Sequence, residues 1–407
     1  MNALKWHTEQ RRVSQLVPAE YNPRRMSDAQ AKHLRKSLEK FNLVEIPAID
    51  EDGTILAGHQ RMAMMKLLGR SEEVIDVRVP NRKLTQEEAK EYNLRSNKNT
   101  GEWDMDKLFA MPDGLLEEVG FDKKEIQKLI DGHTEVIEDD YDVDKGLQTP
   151  VRVELGEVWQ LGEHRLMCGD STAIADVEKL MDGKKVSLFV SDPPYNVALG
   201  MDESPEEAKK RNRRTDGLVV QNDSMSDEDF RAFLVLAFAC VDSCLMDGGA
   251  FYIWHADSEG FNFRGACRDV GWKVRQCLIW NKSSLIMGRQ DYQWKHEPCL
   301  YGWKEGAAHT WNSDRAQTTV IDFQKPSNSK LHPTMKPVEL LSYQIKNSSE
   351  LNSNVLDLFG GSGSTLIACE QTNRKCYMME LDPKYCTVIL DRWEKLTGKK
   401  AICLKNN

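Results

Sequence analysis

The sequence predicts a two-part α/β protein: a large C-terminal unit on a mostly parallel sheet, preceded by a smaller α+β unit. Three observations predict it. Across residues 151–407, short β-rich runs alternate with helical stretches, as in a parallel sheet with helices on both faces. Between Glu135 and Asp144 lie six acids (Glu135, Glu138, Asp139, Asp140, Asp142, Asp144) and no base. Like charges extend a chain, so residues 132–150 read as a solvated acidic linker. Residues 1–131, with 22 basic and 23 acidic side chains, form a nearly neutral block before it. A chain of 407 residues has room for two or three domains with sizeable cores.

In the first block, Ser27-Asp28 opens a helical pattern with Leu34, Leu38 and Phe41 on one face. Ile46 to Ile49 reads as a strand, Asp52-Gly53 as a turn and Thr54 to Ala57 as a second strand. Gly58-His59-Gln60-Arg61 opens a helix that runs through Leu68 and stops at Gly69. Val74 to Val79 is a strand, and helical stretches fill much of the remainder. In the second block the strands are Val186–Ser191, Ala250–Trp254, Arg275–Trp280, Val355–Phe359 and Lys375–Glu380.

A net charge of −9 excludes nucleic-acid binding through bulk charge, so any such contact needs a local patch. No apolar run reaches the roughly 20 residues that span a bilayer, and Met1 to Arg12 lacks a signal-peptide core. The ten cysteines contain no C-x-x-C pair, which argues against a zinc ribbon or a disulfide scaffold. Reduced thiols, no metal and a cytoplasmic location are the expectation.

Three segments carry chemistry. Asp192-Pro193-Pro194-Tyr195 follows the apolar strand Val186–Ser191 directly, and ligands of open α/β sheets bind beyond strand carboxyl ends. Two prolines stiffen the turn and offer no N–H, so carbonyls and the Asp192 carboxylate dominate its rim. Acceptors beside one aromatic ring suit an exocyclic amino group on a flat base; alone, the tetrapeptide also fits a capped proline turn. Asp357-Leu358-Phe359-Gly360-Gly361-Ser362-Gly363-Ser364 runs from a strand through a glycine turn into a helix ending near Gln371. The next strand ends at Glu380, 20 positions after Gly360, where an acid can take both hydroxyls of a ribose. Leu366 replaces the third glycine of the dinucleotide pattern, favouring an adenosine ligand without pyrophosphate. His332-Pro333-Thr334-Met335-Lys336-Pro337 precedes a helix start, where free N–H groups could hold a carboxylate beside Lys336.

Taken in order, these motifs resemble the β class of amino-methylating DNA methyltransferases, over essentially all of residues 151–407. The resemblance implies a Rossmann-like methyltransferase sheet, S-adenosylmethionine as cofactor and double-stranded DNA as partner. It implies that Asp192 and the Pro193 carbonyl accept hydrogen bonds from the target amino group, with Pro194 stiffening the turn and Tyr195 stacking on the extruded base. Phe359, Gly361 and Gly363, with Asp357 and Ser364 flanking them, line the cofactor; Glu380 holds its ribose, Asp170 its adenine and Lys336 its carboxylate. Asp357-Leu358-Phe359 stands where the family often has Asp-Pro-Phe. Asp before Pro-Pro-Tyr favours N6 of adenine, with N4 of cytosine or an RNA base as the alternative. The reaction on a duplex requires base extrusion and hence DNA contacts. Lys209, Lys210, Arg211, Arg213 and Arg214, just after Tyr195, are a candidate phosphate clamp. Residues 283–331, including Arg289, Gln290, Gln293, Trp294 and Lys295, are a candidate target-recognition region.

Residues 1–131 resemble the ParB/sulfiredoxin-like nucleotide-binding fold, through Leu16-Val17-Pro18, Tyr21-Asn22-Pro23-Arg24, Asp52–Ala57 and Gly58-His59-Gln60-Arg61. The resemblance implies an anion or nucleotide site at Gly58, His59 and Arg61. His59 stands where sulfiredoxins place a cysteine. A third reading of the chain follows, a ParB-like DNA-binding regulator whose methyltransferase half is silent.

Overall fold

Val186–Ser191 is apolar on both faces apart from Ser187 and Ser191, the signature of a strand covered on both sides. In the computed structural model it lies at the centre of the larger of two units, Met1–Leu129 and Ile130–Asn407. Residues 4–19, 26, 28–98, 116–117, 120–197, 224–287, 291–323 and 335–404 are described. Lys209, Lys210, Arg211, Arg213, Arg214, Arg289 and Gln290 lie outside them, as do Tyr21–Arg24 and His332–Thr334.

The first unit holds strands β1 (Trp6–Arg12), β2 (Val17–Pro18), β3 (Ala48–Ile49), β4 (Thr54–Ala57) and β5 (Val74–Pro80), ordered β1-β5-β3-β4-β2. Helices α1 (Asp28–Phe41), α2 (His59–Leu67) and α3 (Gln86–Lys98) accompany them. Strand β1 escaped the sequence pattern because it is a polar edge strand, paired antiparallel to β5. The core gathers Leu16, Leu38, Ile49, Ile55, Met62, Met65 and Val77. Gly58 caps α2 in the left-handed conformation (φ 97°), which favours glycine. Arg61 is ion-paired with Glu45, and half-buried His59 accepts a hydrogen bond from the Ala19 N–H at 3.3 Å.

The second unit contains β6 (Val158–Leu161), β7 (His164–Cys168), β8 (Val186–Ser191), β9 (Leu245–Trp254) and β10 (Lys273–Ile286). It continues through β11 (Trp294–Trp303), β12 (Val320–Asp322), β13 (Asn354–Asp357), β14 (Lys375–Glu380) and β15 (Ile402–Leu404). Sheet order is β12-β10-β11-β9-β8-β13-β14-β7-β6-β15. The strands β9-β8-β13-β14-β7 run parallel, as expected. The flanks depart from the expectation: β11 is antiparallel to β9 and β10, and β6 to β7 and β15. Short connections such as Gly162-Glu163 between β6 and β7 permit only an antiparallel return. Helices α4 (Lys123–His133), α5 (Val143–Gly146), α6 (Ile174–Met181), α7 (Asp227–Cys244) and α8 (Gly260–Asp269) precede α9 (Val338–Ser348), α10 (Ser364–Gln371) and α11 (Pro383–Thr397). Two apolar layers cover the sheet, one around Trp254, Leu341 and Trp393, the other around Phe189, Phe238 and Phe263. Among the described residues no helix is long and apolar enough to cross a membrane.

The acidic stretch is not a solvated linker. It lies along the second unit, where Glu138, Asp139 and Asp140, with Asp131 just ahead of them, are partnered. Asp131 makes two hydrogen bonds to Arg374, at 2.6 and 3.0 Å. Asp139 is held by Arg392 at 2.6 Å, and Asp140 by Lys395 at 2.7 Å. The Gln371 amide pairs with both backbone groups of Ile137 at 2.9 Å. Asp142 caps α5 by accepting from the Lys145 N–H. The charge run is a strap in which Asp139 and Asp140 find their counter-ions more than 230 residues along the chain.

The Asp139–Arg392 pair is buried, with side chains 7% and 2% exposed. Asp139→Ala strands a desolvated guanidinium, so it is expected to cost the second unit about 3–5 kcal/mol. Urea denaturation of the full chain, followed by tryptophan fluorescence, measures it. Asp140→Ala, at the surface, is expected to leave the same transition nearly in place.

Candidate active site

The parallel core places the ends of β8 and β13 side by side, since Val355 pairs with Leu188 and Leu356 with Phe189. Chain order reverses there, and such a switch point opens a crevice beyond the strand ends. Asp192 follows β8, and the glycine turn 358–363 follows β13. Ser191 Oγ donates to Asp357 Oδ1 at 2.6 Å, tying the two ends together. The Phe359 N–H donates to the same oxygen at 3.0 Å. Burial pushes the Asp357 carboxyl up to about 7 despite the bonds from Ser191, Thr365 and Phe359. Asp357, expected to flank the cofactor, is therefore a buried brace beneath the loop.

The loop itself matches its expected form. Gly361 and Gly363 have φ of 51° and 88°. A Cβ built on Gly361 meets nothing within 4 Å, so the rim is open there. Half-buried Phe359 packs edge-on against Phe233 at 5.9 Å. Glu380, at the end of β14, accepts from the Gly361 N–H at 2.7 Å and from the Asp382 N–H at 2.9 Å. Burial raises its carboxyl to about 7 against these bonds. The pairing of β14 with β7 brings Cys168 opposite Glu380, so Asp170 arrives at the same sheet edge, exposed and capping its own turn through Thr172.

Two expected roles are corrected. Ser364 is buried, and its hydroxyl accepts from Arg392 Nη1 at 3.2 Å, so it faces the domain interior. The same Arg392 nitrogen also donates to the Ser362 carbonyl at 2.9 Å, so the strap residue Asp139 reaches the loop through one guanidinium. Lys336 does not point to a ligand carboxylate. It is 5% exposed, and its ammonium donates to Asp192 Oδ2 at 2.6 Å, Glu297 Oε1 at 2.5 Å and the Tyr195 hydroxyl at 2.9 Å. An ammonium has three hydrogens, and these contacts use all of them. The start of α9 beyond it is capped by Glu138, which accepts from the Glu339 N–H at 3.3 Å.

Asp192 is thus the centre of a charge cluster. Its Oδ1 accepts from the Tyr195 hydroxyl and its Oδ2 from Lys336. The Tyr195 hydroxyl also lies 2.6 Å from Glu297 Oε1, and Lys282 Nζ lies 2.6 Å from Glu297 Oε2. Burial and the nearby Glu297 raise the Asp192 carboxyl, opposed by Lys336. Burial alone would raise Glu297 too, but the ammonium groups of Lys336 and Lys282 outweigh it and hold it low. Lys336 stays protonated because two carboxylates outweigh its desolvation. Its ammonium also stands 5.4 Å from the ring centres of Tyr195 and Trp254.

Glu297 and Lys282 were missing from the sequence reading as site residues. The available signal was an acid at the head of the apolar run Pro298–Tyr301, where alternation calls for none. Trp294 and Lys295, three and two residues before Glu297, are exposed where β11 begins, near Met287 and Tyr292, which are 78% and 91% exposed. Gln293 is half-buried beside them. Further along 283–331, Trp303 is packed between His309, stacked at 3.8 Å, and Arg275. Among the described residues no group of three or more His, Cys, Asp and Glu could hold a metal.

Comparison with known proteins bears on this site. A family model described as DNA methylase (N6/N4) matches residues 186–391, about half of the chain, and includes both motif-bearing strand ends. The type II methyltransferase M.HpaI of Haemophilus parainfluenzae is 24% identical over 255 residues, 56% of this chain and 74% of that protein. M.XycI of Xanthomonas campestris pv. cyanopsidis is 28% identical over 139 residues, 31% and 46% of the two chains. Among solved structures, the M1.HpyAVI–SAM complex is 21% identical with a TM-score of 0.42, covering 56% of this chain and 98% of that one. The cytosine-N4-specific PvuII DNA methyltransferase is 16% identical with a TM-score of 0.43, covering 61% and 98%. These structural likenesses are loose; the family match carries the assignment. This chain belongs to the N6/N4 family of DNA methylases, whose methyl donor is S-adenosylmethionine.

Proposed function

We propose that this protein methylates the exocyclic N6 of adenine at a specific site in double-stranded DNA. The observation that carries the reading is the Asp192 carboxylate at the β8 end, one strand away from the open glycine rim and two from Glu380. The residues fit the donor. Glu380 is a half-buried carboxylate at a strand end and Gly361 leaves room beside it, which suits a ribose with two hydroxyls to donate. When bound, S-adenosylmethionine supplies an electrophilic methyl group on a sulfonium. Asp170 shares that sheet edge and is placed to accept from an adenine amino group.

On the substrate side, Asp192 and the Pro193 carbonyl accept the two hydrogens of the target amino group. That draws the nitrogen lone pair out of conjugation with the ring and makes it a nucleophile. The Tyr195 ring, fixed through its hydroxyl, offers a face for the extruded base. Trp294 and Lys295 are exposed at the start of β11, which carries Glu297, and Met287 and Tyr292 are exposed between β10 and β11; we assign them to the DNA contact. Gln293, Arg289, Gln290 and the basic run Lys209–Arg214 belong to the same proposal. Asp rather than Ser before Pro-Pro-Tyr favours adenine. Digesting methylated duplex DNA to nucleosides and weighing them tests the assignment: N6-methyladenine supports it, and N4-methylcytosine keeps the site and changes the base. For the first unit we retain the ParB/sulfiredoxin-like reading, supported by its motifs and its five-stranded sheet.

Asp192→Ala is expected to lower methyl transfer by about a hundredfold or more, with cofactor affinity held within about twofold. Single-turnover assays with labelled cofactor, beside calorimetric binding, measure the two quantities. Substantial residual transfer contradicts the role of Asp192.

Glu380 must be ionised to accept two hydroxyls. Its carboxyl titrates near 7 in the fold, above its ordinary 4.5. The ionised fraction falls about tenfold from pH 8 to pH 6, so cofactor affinity is expected to fall by that factor. The sign for stability is opposite: the fold keeps a proton that the unfolded chain releases, so this group weakens the fold as pH rises from 4.5 towards 7. Glu380→Gln is expected to flatten both profiles, measured by calorimetry and by thermal melts.

A further inference from the structure

Both oxygens of the Asp192 carboxylate already have donors: the Tyr195 hydroxyl on Oδ1 and Lys336 on Oδ2. Each oxygen has a second lone pair, so a target amino group either joins these donors or takes the place of one; the second case is the one in which a donor is displaced. In a buried site the displaced donor needs another acceptor, or the exchange costs about 1–3 kcal/mol. Glu297 meets that need. It is 9% exposed, and its Oε1 lies 2.6 Å from the Tyr195 oxygen and 2.5 Å from Lys336 Nζ. The Tyr195 hydroxyl has one proton and two carboxylates within reach, so it can bond to only one at a time. Lys282, from the neighbouring strand β10, anchors the other Glu297 oxygen at 2.6 Å and keeps the carboxylate in place.

We infer that Glu297 is a positioning residue for methyl transfer: it takes over the Tyr195 hydroxyl proton and the Lys336 ammonium when the target amino group occupies Asp192. The catalytic carboxylate is thereby kept ordered before the base arrives and released when it does. This rests on the methyltransferase reading for its kinetic consequence. The hydrogen-bond exchange itself belongs to the free protein.

Several ionisable groups surround Asp192. Tyr195 lies on its own turn, Glu297 on β11, Lys336 before α9 and Asp357 on β13. Among the described residues, Cys299 on β11 also faces Asp192, and Lys282 on β10 and His255 after β9 face Glu297. Burial keeps the His255 imidazole low and the Cys299 thiol high, so neither adds charge near neutral pH. Glu297 is the anion facing Asp192 and Lys336 the cation, which gives opposite signs to their removal.

The test uses the full chain and two measurements. In the free protein, the side-chain carboxyl carbon of Asp192 is followed by NMR in aspartate-labelled protein, assigned with Asp192→Asn. Glu297→Gln removes a neighbouring anion and is expected to move the Asp192 titration to lower pH by about a unit or more; Lys336→Met is expected to move it to higher pH. In methyl transfer, Glu297→Gln leaves one neutral carbonyl oxygen for Lys336, Tyr195 and Lys282 where the carboxylate offers two anionic oxygens. It is expected to lower kcat by 10–100-fold with the cofactor KM unchanged. Glu297→Asp keeps the charge and shortens the reach; its kcat is expected between wild type and Glu297→Gln, and it carries the test if the glutamine variant folds poorly. An unmoved Asp192 titration in Glu297→Gln, or kcat and cofactor KM changing together in the Glu297 variants, overturns the inference. A wild-type protein that transfers no methyl group to DNA overturns the proposed function instead, and the titration still decides whether Glu297 acts on Asp192.

Discussion

The ammonium of Lys336 is the group around which the site is organised. An isolated ammonium taken out of water costs several kcal/mol, and only well-placed partners repay it. Here the repayment comes from carboxylates on two different segments, the turn after β8 and the head of β11. The lysine comes from a third, the approach to α9. None of the three is stable in this place without the others. The requirement to neutralise one buried charge therefore fixes where the Asp192–Tyr195 turn stands relative to the sheet. With Lys282 added, two cations meet two anions and the cluster is neutral.

A second chain of contacts fixes the cofactor side. Asp357 braces the β13 end against Ser191 of β8, so the two halves of the crevice cannot drift apart. Arg392 of α11 reaches the Ser362 carbonyl and the Ser364 hydroxyl from below. Its other nitrogens are held by Asp139. The glycine turn is free of side chains on its open rim yet supported from inside. That combination gives a loop bare enough for close approach of a ligand and rigid enough to hold one.

Local pattern made some of this legible. The strand before Asp192, the helix Ser364–Gln371 and the strand ending at Glu380 could be read because apolar runs and glycines announce them within a few residues. The partnerships could not. Lys336 reads as a surface lysine at a helix start, and nothing nearby says that its carboxylates lie 144 and 39 residues away. The run Glu135–Asp144 reads as repelling charge because Arg392 and Lys395 are remote in sequence. Strand β1, Trp-His-Thr-Glu-Gln-Arg-Arg, has no apolar signal because an edge strand needs little burial. Electrostatic complementarity depends on which residues the fold brings together, and composition alone carries no record of it.

The strap has a consequence for how such a chain can be recombined. By composition, residues 132–150 look like a spacer, the natural breakpoint for exchanging the front module. By contact, they are the opening segment of the catalytic module, reaching its glycine turn through Asp139 and Arg392. A crossover at residue 150 would deliver a methyltransferase whose buried arginines have lost their counter-ions. A crossover ahead of α4 (Lys123–His133) would carry the strap along intact and leave the front module free to vary. Lineages that reshuffle this architecture should therefore break on the far side of the acids, and engineered fusions should do the same.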